Sequence, residues 1–252
     1  MKVKKISNPE NSRSGNALIY VLIAIALFAS LSFVLGRQTD TSEAGVVSHE
    51  QNEMYAAQLI SYSAQAKSAV DQMLFAGAFP ENLTFFIPGD ANYDVETTYP
   101  NIYKVFHPDG GGLDLKNLPE AVQSDDPDEP SPDPGWYMGR FNNTEWTKTT
   151  DEDVILVAYK ITEPVCAAIN EKITGSSTIP TLSGKARDYF IYDADTAPPH
   201  TISTGDDHTG NNADFNSTVA PVVCAACDGF PSLCVKNDNS KIFTYYSIIA
   251  ER

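Results

Sequence analysis

Basic residues are scarce over most of this chain. Of its 17 Lys and Arg, five (Lys2, Lys4, Lys5, Arg13 and Arg37) fall in residues 1–37, against the single acid Glu10. The rest holds 12 basic and 32 acidic residues, a balance of −20. Such a surface repels phosphate, and no basic stripe with interleaved aromatics offsets it, so direct nucleic-acid binding is disfavoured. A soluble, self-repelling exterior is what this balance implies.

Catalytic signatures are missing too. No Lys-Ser/Thr follows the glycines of "HPDGGG" (107–112) as it does in a P-loop, and the neighbouring aspartates oppose an anion. A glycine-rich turn between strands is expected there. His200 and His208 with Asp206 and Asp207 lack the helical spacing that presents metal ligands together. No nucleophile, base and orienting group can be assembled, so no enzyme is expected.

Cysteines number only four: Cys166, Cys224, Cys227 and Cys234, three of them within "CAACDGFPSLC". In an exported domain this even set means two disulfides; in the cytosol it is a metal-site candidate. "CAAC" also has redox-motif spacing, and the four together could hold zinc. Location decides among these.

Charge is absent from Ala17 to Leu35, where the only polar side chains are Tyr20, Ser30 and Ser32. At ~1.5 Å per residue such a run nearly covers a ~30 Å hydrocarbon core, and it exceeds the ~7–15 apolar residues of a cleaved secretory signal. The expectation is a membrane-spanning helix. Lys2, Lys4, Lys5 and Arg13 precede it, and after Arg37 the next basic residue is Lys67, so the leader lies in the cytoplasm and the acidic body outside. Disulfides are then the default. Signal-peptidase cleavage near Ala29 is the alternative, opposed by the continuation of the run to Leu35.

A second helix is expected over Glu43–Ala76, a proline-free stretch rich in helix formers. Ala56, Leu59, Ser63, Ala66, Val70 and Met73 recur at steps of three and four, flanked by Ile60 and Leu74, and form one apolar stripe that needs a partner. Gly77 and Pro80 end it.

Beyond Pro80 the pattern changes to short aromatic and β-branched runs: "NIYKVF" (101–106), "GWYMGRF" (135–141), "DVILVAYKI" (153–161), "DYFIY" (188–192) and "KIFTYYSII" (241–249). These are the strand candidates, with antiparallel pairing expected. "EPVCAAINEKITG" reads as a short helix with Pro164 in its first turn and Gly175 closing it. "SDDPDEPSPDPG" (124–135) reads as an extended, solvated loop, and 193–218 as a second loop with little to bury.

The leader and apolar run, "SRSGNALIYVLIAIALFASLSFVLG" (12–36), resemble the class III signal of type IV pilins and pseudopilins. The resemblance implies cleavage by a prepilin peptidase after Gly15, with Asn16 as the first, methylated residue of the mature chain. It implies an apolar assembly helix carrying Leu18, Ile19, Tyr20, Phe28 and Phe33, retained first as a membrane anchor and later in a filament core. Asn16 stands where the family has Phe or Met, and Tyr20 where it has a glutamate that neutralises a neighbouring N-terminal ammonium in an apolar core. "VFHPDGGGLD", "PVCAAIN" and "YYSIIAER" also resemble segments of pilin-like proteins.

The implied layout is a 1–15 leader, a 16–36 assembly helix, a 37–79 amphipathic continuation and an 80–252 extracytoplasmic head. The fold class is α+β: a long N-terminal α-helix, transmembrane in its first half and amphipathic in its second, packed on a disulfide-stapled antiparallel sheet. If continuous through Gly36 and Gly45, that helix is a rod of about sixty residues and ~90 Å. The competing layout is a plain anchor, a "RQTDTSEAG" linker and an unrelated domain.

The resemblance also implies partners and location. The partners are other copies and related pilins, the prepilin peptidase and the inner-membrane assembly machinery. The chain is single-pass in the inner membrane before assembly and part of a periplasmic or extracellular filament after it. No cofactor is expected. Calcium enters as a candidate because major pseudopilins bind it in a head loop; here Asp206, Asp207 and Asp214 supply oxygens, without EF-hand spacing. Cys166 is expected to pair into the C-terminal loop while the remaining two cysteines close a local loop, each bridge worth ~2–4 kcal/mol. The expected function is a structural subunit of a pilus-like or pseudopilus filament. The alternative is a monomeric membrane-anchored binding protein with an acidic surface.

Overall fold

The computed structural model describes residues 20–30, 43–127, 129–130, 132–149, 151–191, 224–238 and 241–251 of the 252. The chain divides into two compact units, Met1–Glu50 and Gln51–Arg252.

The first unit contains a helical stretch over 20–30, and helix α1 (Glu43–Phe75) begins near its end. This corrects the expected architecture. The long helix begins at an acidic residue rather than in the apolar run, and among the described residues no helix is long and apolar enough to cross a membrane. The sequence of α1, free of proline and rich in Ala, Gln, Glu and Met, sustains the helix to Phe75.

In the second unit, α1 presents its stripe to a sheet. Ala56, Leu59, Ser63, Ala66, Val70 and Met73 are all buried. The sheet has four antiparallel strands in the order β1 (Gly135–Asn142), β2 (Asp153–Ile161), β4 (Phe243–Ala250), β3 (Ser232–Lys236). Register assigns its faces. Trp136, Ala158, Tyr245 and Cys234 form one cross-strand row on the α1 side; Tyr137, Val157, Tyr246 and Leu233 form the next row, on the opposite side.

That opposite side is covered as well, by Leu182, Ala186, Tyr189, Phe190, Cys224 and Cys227. Cover on both faces explains why all nine residues of β2 are buried, and why its sequence is a continuous apolar run rather than an alternation. Helix α2 (Glu163–Thr174) follows β2 directly. It carries Pro164 in its first turn and stops at Gly175, whose φ of 77° is the left-handed conformation glycine adopts without penalty.

Several local expectations differ from the structure. "NIYKVF" makes a 3₁₀ turn at Asn101–Tyr103 and one bridge, Lys104 to Thr84. "DYFIY" contributes a one-turn helix, α3 (Arg187–Phe190), whose Tyr189 and Phe190 pack under the sheet. Strand β3, unforeseen, is short and half-hidden in the cysteine cluster. The 124–135 loop is not simply solvated, because Glu129 within it is buried. The 193–218 loop lies outside the described residues.

Candidate functional site

The helical stretch 20–30, "YVLIAIALFAS", exposes large apolar side chains on all sides. Tyr20, Val21, Leu22, Ile23, Ile25, Leu27 and Phe28 are each between 50 and 73% exposed. A helix that is apolar all round is suited to an apolar surrounding, whether lipid or other helices, and not to water. Of the residues expected for assembly, Tyr20 and Phe28 lie in this stretch; Gly15, Asn16, Leu18, Ile19 and Phe33 lie outside the described residues.

The four cysteines form two bridges, Cys166–Cys234 and Cys224–Cys227. The first joins α2 to the edge strand β3, and a buried amide reinforces it. Asn170 Nδ2 donates to the Cys234 carbonyl at 2.8 Å, while its Oδ1 accepts from the Cys234 N–H at 2.8 Å. Asn170 thereby stands in for a further strand at Cys234, and a bridge from Thr181 covers the same edge at Lys236. The second bridge closes the 3₁₀ turn Ala225–Cys227 beneath the opposite face. With every cysteine bonded, the zinc and dithiol readings do not apply to this structure.

The "HPDGGG" turn has no amide left for a phosphate. The N–H groups of Gly110 and Gly112 donate to the His107 carbonyl, and that of Gly111 to the Lys104 carbonyl. The glycines serve close approach: a Cβ on Gly110 would lie 2.2 Å from the Lys104 oxygen. The calcium candidates Asp206, Asp207 and Asp214, and His200 and His208, lie outside the described residues. Among the described residues no three metal-ligating side chains cluster.

A groove of about 530 Å³ runs between α1 and β4, lined by Ile60, Ser63, Lys67, Trp146, Tyr245 and Ile248 among others. At its floor the Tyr245 hydroxyl shares a hydrogen bond of 2.8 Å with the Ser63 hydroxyl, and Ser232 and Ser247 line the same groove. Burial pushes this phenol up from its ordinary pKa, against the pull of the three serines. Lys67 at the rim donates to the Ile249 carbonyl at 3.0 Å and pairs with Asp71 at 3.3 Å. The two described histidines, His49 and His107, do not line it, so among the described residues no imidazole faces these hydroxyls as a general base.

A second groove, of about 440 Å³, is lined by Met54, Leu59, Tyr62, Gln65, Lys116 and Trp136 among others. Tyr62 packs edge-on against Trp136 at 4.8 Å and donates to the Asp114 carbonyl at 3.0 Å. Burial pushes its phenol up to about 12.

Compared with family models, curated proteins and solved structures, the chain matches none of them. Its fold and surfaces define a class all the same: a disulfide-stapled α+β domain that follows an exposed apolar helical stretch.

Proposed function

We propose that the protein is a structural subunit of a type IV pilus-like or pseudopilus filament, assembling through its apolar N-terminal segment. The observation that carries this reading is the exposed helical stretch 20–30, whose seven large apolar side chains have no partner of their own within it. Left in water, each Val, Leu, Ile or Phe of the stretch forgoes ~1.5–3 kcal/mol, so the segment is held in apolar surroundings throughout, lipid before assembly and neighbouring helices after it. Two disulfides agree with a head outside the cytoplasm, and the acidic exterior keeps unassembled heads apart. In this reading the membrane holds the apolar segment until assembly, with the head in the periplasm. Partners are other copies and related subunits, with the prepilin peptidase and assembly machinery acting on the leader.

The test is N-terminal sequencing and intact mass of the protein from cells with and without a prepilin peptidase. A mature chain beginning at methylated Asn16 is the expected result. A chain that keeps Met1, or one cut beyond Ala29, overturns the proposal. The second reading, a tethered monomeric binding protein, draws on the groove beside α1. It is distinguished by a mature protein that stays monomeric when purified with its apolar segment intact.

A further inference from the structure

Lys104 is fully buried, yet no carboxylate reaches its ammonium among the described residues. Nζ donates to the carbonyl oxygens of Tyr93 at 2.5 Å and Val95 at 3.1 Å, and to Asn101 Oδ1 at 2.7 Å. An ammonium carries three donors, so the three neutral oxygens account for every proton. A buried cation without an anion is retained only where such dipoles replace its water.

All three acceptors come from one segment. Residues 88–99 form successive turns without a strand or helix, and the 3₁₀ turn Asn101–Tyr103 closes them. A few other contacts hold this segment: the Ile87 N–H donates to Asp90 Oδ2 at 2.8 Å, the Tyr93 hydroxyl to the Phe106 carbonyl at 3.2 Å, and the Phe86 and Tyr99 rings meet at 4.9 Å. The main chain of Lys104 is fixed from the other side. Its carbonyl accepts from the N–H groups of His107 and Gly111 in the glycine turn. The close approach of Gly110 thus has a purpose. The turn holds the lysine backbone from one side while the side chain reaches into the loop on the other.

We propose that the 88–101 segment is a cation-organised loop whose cation is the chain's own Lys104 ammonium, and that its oxygen cage is a primary-ammonium binding site filled in cis. The ligand class follows from the donor set. Calcium takes six to eight oxygens with carboxylates among them, whereas three neutral acceptors match the three N–H donors of a monovalent ammonium. Cutting the lysine back therefore leaves a cage able to take a free alkylammonium ion.

The experiment uses the full chain carrying Lys104→Ala, with thermal unfolding followed in ethylammonium chloride and in tetramethylammonium chloride at equal ionic strength. The alanine variant is expected to melt lower than wild type and to recover as ethylammonium is raised, by mass action on the folded state. Tetramethylammonium, which has no N–H donor, restores nothing; wild type and Lys104→Met gain nothing specific from ethylammonium. Equal responses to the two salts, or an alanine variant as stable as wild type, overturn the proposal. If the alanine variant does not fold, ¹⁵N-resolved spectra of the wild-type chain decide. A slowly exchanging lysine ammonium signal with contacts to Tyr93 and Asn101 supports the cage, and its absence overturns it.

Discussion

Ser63 of α1 and Tyr245 of β4, 182 positions apart in sequence, share a buried hydrogen bond of 2.8 Å. Ser63 donates its own proton to the Ile60 carbonyl, so its oxygen accepts from the phenol and Tyr245 is the donor. This explains why a polar residue interrupts an otherwise apolar stripe: its hydroxyl meets that of a buried tyrosine. Ser63→Ala is expected to cost about 1 kcal/mol, the net worth of one such bond. A double-mutant cycle with Tyr245→Phe, read by urea unfolding, is expected to give a coupling of roughly 0.5–2 kcal/mol. Strict additivity would show that the bond contributes nothing.

The two disulfides close loops of very different length. Cys166 and Cys234 are 68 residues apart, Cys224 and Cys227 only three. On the chain-entropy scale the first constrains the unfolded state by about 4 kcal/mol and the second by roughly 1.5 kcal/mol. Replacing Cys166 and Cys234 together by serine is therefore expected to lower stability by more than twice the effect of the same change at Cys224 and Cys227. Asn170, clamped on Cys234, adds to the first loss by losing its alignment. Unfolding of the two paired variants in urea checks the order, and an equal loss would contradict it.

The parts of this fold legible in the sequence are those where one physical signal acts alone. The α1 stripe shows a clear period because one face alone is buried, and "DVILVAYKI" shows a strand because both of its faces are. α2 announces itself through Pro164 and Gly175. Elsewhere a local signal is overridden by the surroundings. The aromatics of "DYFIY" resemble a strand, but Tyr189 and Phe190 are needed as a plug under the sheet, and one helical turn delivers both. "NIYKVF" carries Lys104, whose side chain serves the neighbouring loop, so pairing there stops at a single bridge. β3 escapes notice because five residues containing a cysteine give no periodicity, and its edge is satisfied piecemeal, by Asn170 at Cys234 and by a single bridge to Thr181 at Lys236. The apolar run fixes where the chain avoids water, but length and hydropathy cannot join it to α1, which begins at Glu43.

Glu129 shows what charge composition conceals. It sits in the acidic loop yet is buried, accepting from the Tyr159 hydroxyl at 2.8 Å and pairing with Arg187 Nε at 3.2 Å and Lys185 Nζ at 3.9 Å. It therefore latches the 124–135 loop to α3 and the strand beneath. Removing the carboxylate takes the acceptor from the buried Tyr159 hydroxyl, while Arg187 keeps Asp188 at 3.4 Å, so Glu129→Ala is expected to cost about 2 kcal/mol. Asp133→Ala, on the exposed side of the same loop, is expected to cost under about 0.5 kcal/mol. Comparable losses at the two positions would deny the latch.

Stability at high pH rests on the phenols. Burial raises Tyr62 from 10.0 to about 12, and raises Tyr245 and Tyr246 in the same direction. A phenol whose pKa is raised by folding keeps its proton in the native state after the unfolded chain has lost it. Its contribution is fully present below pH 10 and is lost as pH climbs towards 12, since the native state then binds more protons than the unfolded one. For Tyr62 alone the loss is on the order of 2 kcal/mol. Tyr62→Phe gives the test. At pH 8 the variant is expected to be about 1 kcal/mol weaker, lacking the bond to the Asp114 carbonyl. Between pH 10 and 12 that deficit is expected to shrink and then reverse, because phenylalanine has no proton for the unfolded chain to lose. Urea unfolding across that range reads the crossover, and a deficit that stays constant with pH would show that Tyr62 ionises in the folded protein as it does in the unfolded one.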